Sequence, residues 1–155
     1  AGAFVAMLAT QLAYGKVDLT MVLNGALAGL VSITAEPLTP TMGWTCFIGG
    51  VGGVIVVYGV PLLDKFKIDD VVGAIPVHLF AGIWGTLAVV LTNPEAALGT
   101  QIYGIVVVGV FTFVISGAAW VILNAILGIR VSEEDEITGL DTAELGMEAY
   151  PDFVR

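Results

Sequence analysis

Long apolar runs separated by short polar breaks fill the first 130 residues of the chain. A membrane-spanning helix needs about 20 mainly apolar residues, and several of these runs approach or exceed that length. The pattern predicts an all-α integral membrane protein with a polar tail over residues 131–155. The predicted spans are residues 1–14, 19–35, 44–63, 71–91 and 98–129, all approximate at their ends.

The first and last of these runs depart from the usual span length. Residues 1–14 are too few to cross a bilayer and follow no signal peptide, so they are interpreted as the end of a truncated span. Residues 98–129 exceed the bilayer's thickness, and we expect that helix to tilt or to project beyond the membrane. The chain is therefore expected to be a fragment, with about five spans, of a larger membrane protein.

Composition supports the membrane class. Hydrophobic residues make up 57% of the chain and charged residues 12%, with a mean hydropathy of +0.97. Soluble domains carry about twice that charge. The acidic tail argues against a nucleic-acid partner. A single cysteine, Cys46, offers neither a disulfide framework nor a cysteine metal cluster, and no cofactor is expected.

The basic residues predict the orientation. If the tail side is called inside, the alternation of five spans places four basic residues on the inside: Lys16, Lys65, Lys67 and Arg130. The loops on the opposite side, around residues 36–43 and 92–97, contain no Lys or Arg. The positive-inside rule then predicts a cytoplasmic C-terminus.

Glycines at short spacings predict close helix packing. Gly25 and Gly29 form a GxxxG pair, and Gly49 and Gly53 bracket a second glycine-rich stretch. Such pairs allow a neighbouring backbone to approach. A phosphate-binding loop is the rival interpretation of the second stretch, but it lacks the following Lys and Ser/Thr and the preceding strand.

The only histidine, His78, lies deep inside the fourth apolar run. Asp70 precedes it by eight residues, which on a helix places His78 about 12 Å further along, near the middle of the hydrocarbon layer. An ionisable residue at that depth is by default a functional-site hypothesis. Pro76 is expected to bend the helix or to leave the carbonyl of Val72 without a donor.

The helical face around His78 contains mostly small residues, which predicts that the imidazole looks onto a shallow groove. The positions that share its face are Ala74, Ile75, Ala81, Gly82 and Gly85. Gly82 and Gly85 are also expected to permit close packing. Three interpretations of His78 remain open from spacing alone: a hydrogen bond to another span, a metal or haem ligand, and a proton relay or polar-solute pathway. The second lacks further ligands in this chain.

Four segments resemble the ammonium transporter (Amt/MEP/Rh) family. They are Met21-Val-Leu-Asn-Gly-Ala-Leu-Ala-Gly-Leu-Val-Ser-Ile-Thr34, Pro61-Leu-Leu-Asp64, Ile68-Asp-Asp-Val-Val-Gly-Ala-Ile-Pro-Val-His-Leu-Phe-Ala-Gly-Ile-Trp-Gly-Thr-Leu87 and Gly139-Leu-Asp-Thr-Ala-Glu-Leu-Gly-Met-Glu-Ala-Tyr150. The resemblance covers nearly the whole chain in order. It implies the C-terminal part of an eleven-helix, inverted-repeat transporter that is not an enzyme.

The resemblance also implies a role for His78. It matches the second of two pore histidines, one from each repeat, past which neutral NH3 crosses after NH4+ is deprotonated. Ala74, one turn earlier, is then expected to face the pore. The first histidine is expected in sequence absent from this chain. Further implications are a homotrimer in the lipid of the plasma or inner membrane, with one pore in each protomer.

The tail has two interpretations. On composition alone it is an acidic, solvated segment. The resemblance instead implies a docking site for a PII-type nitrogen signal protein. The matching residues are Gly139, Leu140, Asp141, Gly146, Ala149 and Tyr150. Where many members have His-Gly-Glu, this chain has Leu145-Gly-Met147, with Glu148 displaced by one position.

Three alternatives to a transporter are weighed. An ammonium sensor would use the same membrane domain together with a signalling domain. A structural or redox subunit would need further ligands. A water or glycerol channel would need paired Asn-Pro-Ala motifs, whereas Asn93-Pro94 is followed by Glu95 in a loop.

Overall fold

The computed structural model describes residues 1–38 and 41–147, where all regular structure is helical. The helices are α1 (Gly2–Tyr14), α2 (Leu19–Thr34), α3 (Met42–Lys65), a π-helix (Ile75–Phe80) that continues into α4 (Ala81–Thr92), α5 (Leu98–Leu127), α6 (Glu133–Thr138) and α7 (Leu140–Leu145). The described residues form no strand, in agreement with the predicted all-α class.

Three described helices are long and apolar enough to cross a membrane: Met42–Lys65, Ile75–Thr92 and Leu98–Leu127. The apolar helices Gly2–Tyr14 and Leu19–Thr34 are shorter. With 16 residues, α2 is about 24 Å long, less than the hydrocarbon layer. That residues 19–35 cross the membrane therefore stays a prediction.

Local side-chain chemistry sets the helix ends. The Asp18 carboxylate accepts a hydrogen bond from the Met21 amide at 3.0 Å, and the Thr41 hydroxyl accepts one from the Trp44 amide at 3.3 Å. Such caps satisfy amides that have no partner within the helix. Gly15 ends α1 in the left-handed conformation that glycine adopts without strain.

Glycines bring α1, α2 and α3 into backbone contact. A Cβ on Gly53 would collide with the carbonyl oxygen of Gly2, and a Cβ on Gly25 would collide with the Cβ of Ala6. A Cβ on Gly29 would lie 3.1 Å from the Cα of Gly2. Residues of two predicted glycine pairs thus lie at helix crossings, where any side chain would force the helices apart.

The core lies where α2, α3 and the π-helix with α4 meet. It consists of Ala28, Val56, Val77 and Ala81, all buried, with three partly buried apolar side chains against it. Because Val77 belongs to the π-helix and precedes His78 by one residue, this packing anchors the backbone that presents the histidine.

The fourth helix begins later than the apolar pattern predicts. Residues 71–73 form a turn, and the helical run starts at about Ala74 rather than Val71. The Asp70 carboxylate accepts hydrogen bonds from the Ala74 and Ile75 amides, each at 2.8 Å, and Gly73 has a φ of 76°. Pro76 consequently falls in the first helical turn, where its missing N–H costs little, so the expected bend is not required.

A second compact unit begins at Val108 and contains the rest of α5, then α6 and α7. No residue of α5 is buried. The Ser132 hydroxyl caps α6 by accepting from the Asp135 amide at 3.1 Å, and the exposed Arg130 guanidinium pairs with Glu136 at 2.9 Å. Surface pairs of this kind contribute little to stability.

Candidate functional site

His78 lies within the π-helix, on the side facing away from the core. Its neighbours Pro76 and Val77 are buried, whereas the histidine itself is exposed in this chain. Across residues 1–38 and 41–147, no other side chain or carbonyl hydrogen-bonds to the imidazole. The described part of the chain therefore does not support a histidine satisfied by a neighbouring helix, and it leaves the side chain exposed.

The π-helix changes which residues share the surface of His78. The Ala81 amide donates to the carbonyls of both Pro76 and His78, so this turn contains an i→i+5 bond. Ala74 is exposed, as His78 is, but Ala81 and Gly85 are buried. The predicted groove of small residues is wrong for these two positions, because an α-helical periodicity does not continue through a π-helical turn.

Gly85 and Gly82 have different surroundings. A Cβ on Gly85 would collide with the carbonyl of Ser32 in α2, which makes this a close helix crossing. A Cβ on Gly82 would lie 3.8 Å from the Cγ1 of Val31, an ordinary contact. Among the described residues no other helix approaches Gly82 more closely, so the close packing expected at this glycine stays a prediction.

Polar contacts hold both ends of the His78 helix. At its start, the Asn24 amide nitrogen donates to the Val72 carbonyl at 2.9 Å. Further along, the Trp84 indole N–H donates to the Ile48 carbonyl in α3 at 3.0 Å. At its end, the Asn93 amide donates to the Glu36 carboxylate at 3.3 Å. Each contact joins this helix, or a segment flanking it, to another part of the bundle.

The tail glycines occupy positions that other residues rarely adopt. Gly139, between α6 and α7, has a φ of 101°, and Gly146, after α7, has a φ of 65°. Leu140 and Asp141 are exposed in the first turn of α7. The glycines of the tail motif thus have a backbone reason to be glycine. Ala149 and Tyr150 lie outside the described residues.

Metal ligands are sparse in the described ranges. Residues 1–38 and 41–147 contain no group of three or more His, Cys, Asp or Glu side chains that could hold a metal ion. Cys46 is exposed near the start of α3.

Two polar residues that matter at this site have partners that the sequence does not identify. The amide of Asn24 bonds to the Val72 carbonyl, 48 positions away. The Asp70 carboxylate accepts hydrogen bonds from two amides at the start of the helix, where the helix dipole also favours a negative charge. The sequence signal for the contact with the Val72 carbonyl was Pro76, which lies four residues after Val72 and has no N–H to donate.

Comparison with known proteins identifies the family. The Ammonium Transporter Family profile matches residues 1–150. The chain is 42% identical to ammonium transporter Amt2 of Archaeoglobus fulgidus, over 99% of this chain and 37% of that protein. It is 36% identical to ammonium transporter Amt1 of Haloferax mediterranei, over 99% of this chain and 31% of the relative. A putative ammonium transporter of Synechocystis sp. is 41% identical over 84% of this chain and 30% of its own length.

These matches cover different fractions of this chain and of its relatives. They cover most of this chain, whereas the chain spans only about a third of the length of these relatives. The profile match over 150 residues and the long apolar helices lead to one conclusion. The chain belongs to the ammonium transporter family of membrane proteins.

Proposed function

We propose that the protein containing this chain carries ammonium or ammonia across a membrane, with His78 lining the pathway. The observation that carries this proposal is the position of His78: an accessible imidazole on an apolar helix of membrane length, in a chain of this family. Ala74 is exposed as well and lies four residues earlier, so a small side chain leaves space on the approach to the imidazole.

Physical chemistry favours passage of the neutral molecule. Moving a bare cation through a hydrocarbon layer is costly, because the charge loses its hydration. Ammonia has no such charge. A neutral imidazole donates a hydrogen bond through one nitrogen and accepts through the other, so it matches a small solute that does the same. NH4+ would lose a proton before the apolar constriction, and NH3 would pass beside His78.

The pathway requires more than this chain. We propose an eleven-helix transporter with two inverted repeats, in which His78 belongs to the second. The first repeat would supply a second histidine in contact with His78. Three such protomers would form a trimer, each with its own pore.

The orientation follows from charge. Lys16, Lys65, Lys67 and Arg130 would all face the cytoplasm, with the tail, at the plasma or inner membrane. This placement would put the turn at Asp70 near the cytoplasmic side and the Trp44 end of α3 near the other.

Uptake by the full-length protein tests the proposal. Expressed in cells without ammonium transporters, it is expected to restore growth on low ammonium and saturable methylammonium uptake. A matched strain expressing a variant of Glu95, an exposed loop residue remote from His78 in sequence, serves as the expression control. Binding of ammonium without uptake would contradict transport and favour a sensor.

The tail is proposed to bind a PII-type signal protein at the cytoplasmic face. Deleting residues 131–155 is expected to leave the membrane domain folded, since none of the described residues 131–147 belongs to its core. PII binding in a pull-down from membranes should be lost. A deletion variant that still binds PII as well as the intact transporter would refute the docking role. The double variant Gly139→Ala and Gly146→Ala tests the same docking role without a deletion. Both residues have positive φ angles, which alanine rarely adopts.

A further inference from the structure

Two carbonyls that lie four residues before a proline accept hydrogen bonds from another helix. Pro61 lies inside α3, and the carbonyl of Val57, four residues earlier, accepts a hydrogen bond from the Tyr14 hydroxyl at 3.2 Å. Pro76 lies at the start of the π-helix, and the carbonyl four residues earlier, Val72, accepts from Asn24 at 2.9 Å. Pro61 offers no N–H to the Val57 carbonyl, so the Tyr14 hydroxyl replaces that donor. The Val72 carbonyl lies in the turn before the helix, and Asn24 is its donor there.

The Val72 carbonyl belongs to the turn from which the His78 helix starts. Within this turn, the Gly73 amide donates to the Asp70 carbonyl at 3.2 Å, and the Asp70 carboxylate caps the next two amides. All these bonds are local. Among the described residues, Asn24 supplies the one hydrogen bond that ties the turn to α2.

Packing places Asn24 against the same turn independently of the hydrogen bond. Gly73 is buried with a φ of 76°, and a Cβ added there would lie 3.0 Å from the Nδ2 of Asn24 and 3.2 Å from the Cγ2 of Val60. The asparagine therefore restricts the turn sterically as well as through its amide. Left-handed backbone at this position depends on glycine and on neighbours that hold it.

The position of this turn decides how His78 is presented. The Gly73 carbonyl is the first acceptor of the helix: it accepts a hydrogen bond from the Val77 amide at 3.1 Å. The Ala81 amide then divides its hydrogen bond between the carbonyls of Pro76 and His78. π-Helical turns are rare, occur mostly as single turns inside α-helices, and are frequent at functional sites. A shift at Gly73 would change that register and rotate the imidazole away from its present direction.

We propose that Asn24 is a positioning residue for His78: its amide and its packing hold the Asp70–Gly73 turn, and this turn sets the register of the π-helix. The proposal rests on the proposed function, in which His78 lines the transport pathway. Asn24 itself does not touch the solute. It acts through the backbone between Val72 and His78.

Kinetics of the full-length transporter test this role. Asn24→Ala removes the donor, and Asn24→Asp replaces it by a carboxylate of the same shape that cannot donate when ionised. Both are expected to lower the maximal rate of methylammonium uptake per transporter about fivefold, as expected for the loss of one hydrogen bond, with KM changed less than about twofold. In the purified protein, amides of residues 73–75 and 77–81 should exchange hydrogen faster, and those of α1 should not.

Thr34→Ala is the matched control, because the Thr34 hydroxyl bonds within α2 to the Leu30 carbonyl and not to the turn. It is expected to leave the rate and the exchange unchanged. If Asn24→Ala does not accumulate in membranes, Asn24→Gln and Asn24→Asp decide the matter. The Gln variant keeps an N–H donor and should retain more uptake than the Asp variant. Equal losses in both would refute the positioning role.

The result for His78→Ala separates this inference from the proposed function. If uptake is lost with His78→Ala but retained at full rate with both Asn24→Ala and Asn24→Asp, the positioning role is wrong and the pathway stands. If His78→Ala leaves uptake unchanged, the pathway itself is wrong, and the Asn24 proposal is overturned with it.

Discussion

Replacing His78 with alanine is expected to abolish ammonium and methylammonium uptake by the full-length transporter. The imidazole is exposed on an apolar helix. In its neutral form it can both donate and accept a hydrogen bond. In an apolar layer each hydrogen bond left unmade costs about 1–3 kcal/mol, so losing a donor and an acceptor at about 1.4 kcal/mol each lowers the rate about 100-fold. Initial uptake rates, normalised to the transporter in the membrane, measure it.

Leu79→Ala is the control for this change. Leu79 follows His78 in the π-helix and is also exposed, but it has no polar group. Its substitution removes surface of similar size and should retain uptake within about threefold, since changes to exposed side chains are usually small in effect. Full uptake by the His78→Ala protein would exclude His78 from the pathway.

Gly85→Ala is expected to destabilise the membrane domain. Its Cβ would collide with the backbone of Ser32, which cannot move away without shifting α2. Overpacking of this kind costs about 1–3 kcal/mol, of which the better helix propensity of alanine recovers less than about 1 kcal/mol. A denaturant titration of the purified, full-length protein in detergent should show the lower stability.

Gly82→Ala is a closely matched control, since it lies three residues earlier on the same helix. Its Cβ would lie 3.8 Å from Val31 and meet no backbone. The substitution is therefore expected to be neutral or slightly stabilising, because alanine favours the helix. Equal stability of the two variants would show that the close approach of α4 to Ser32 does not constrain the bundle.

Much of the helical order was predictable from local chemistry. Polar breaks such as Gly15-Lys-Val-Asp18 separate the helices, and Asp18 and Thr41 cap the helices that follow them. These signals act within a few residues, so they do not depend on the rest of the fold. The glycine pairs of α2 and α3 likewise predicted where backbones come close.

The surroundings of His78 were less predictable. An α-helical projection grouped Ala81 and Gly85 with His78, whereas the π-helical turn separates them from it. The start of the helix was placed at about Val71, because Val71 and Val72 are apolar, yet the Asp70 carboxylate and Gly73 make this stretch a turn. Periodicity assumes a constant number of residues per turn, so it fails where that number changes.

The sequence by itself determined the class of this protein: apolar runs and sparse charge specify a helical membrane chain, and its motifs specify the family. Only the tertiary structure decided which partner each polar group meets. Asn24 and Val72 are 48 positions apart, and their bond exists because α2 packs beside the turn before His78. Hydrogen-bond partners at that separation depend on how helices pack, which local composition does not encode.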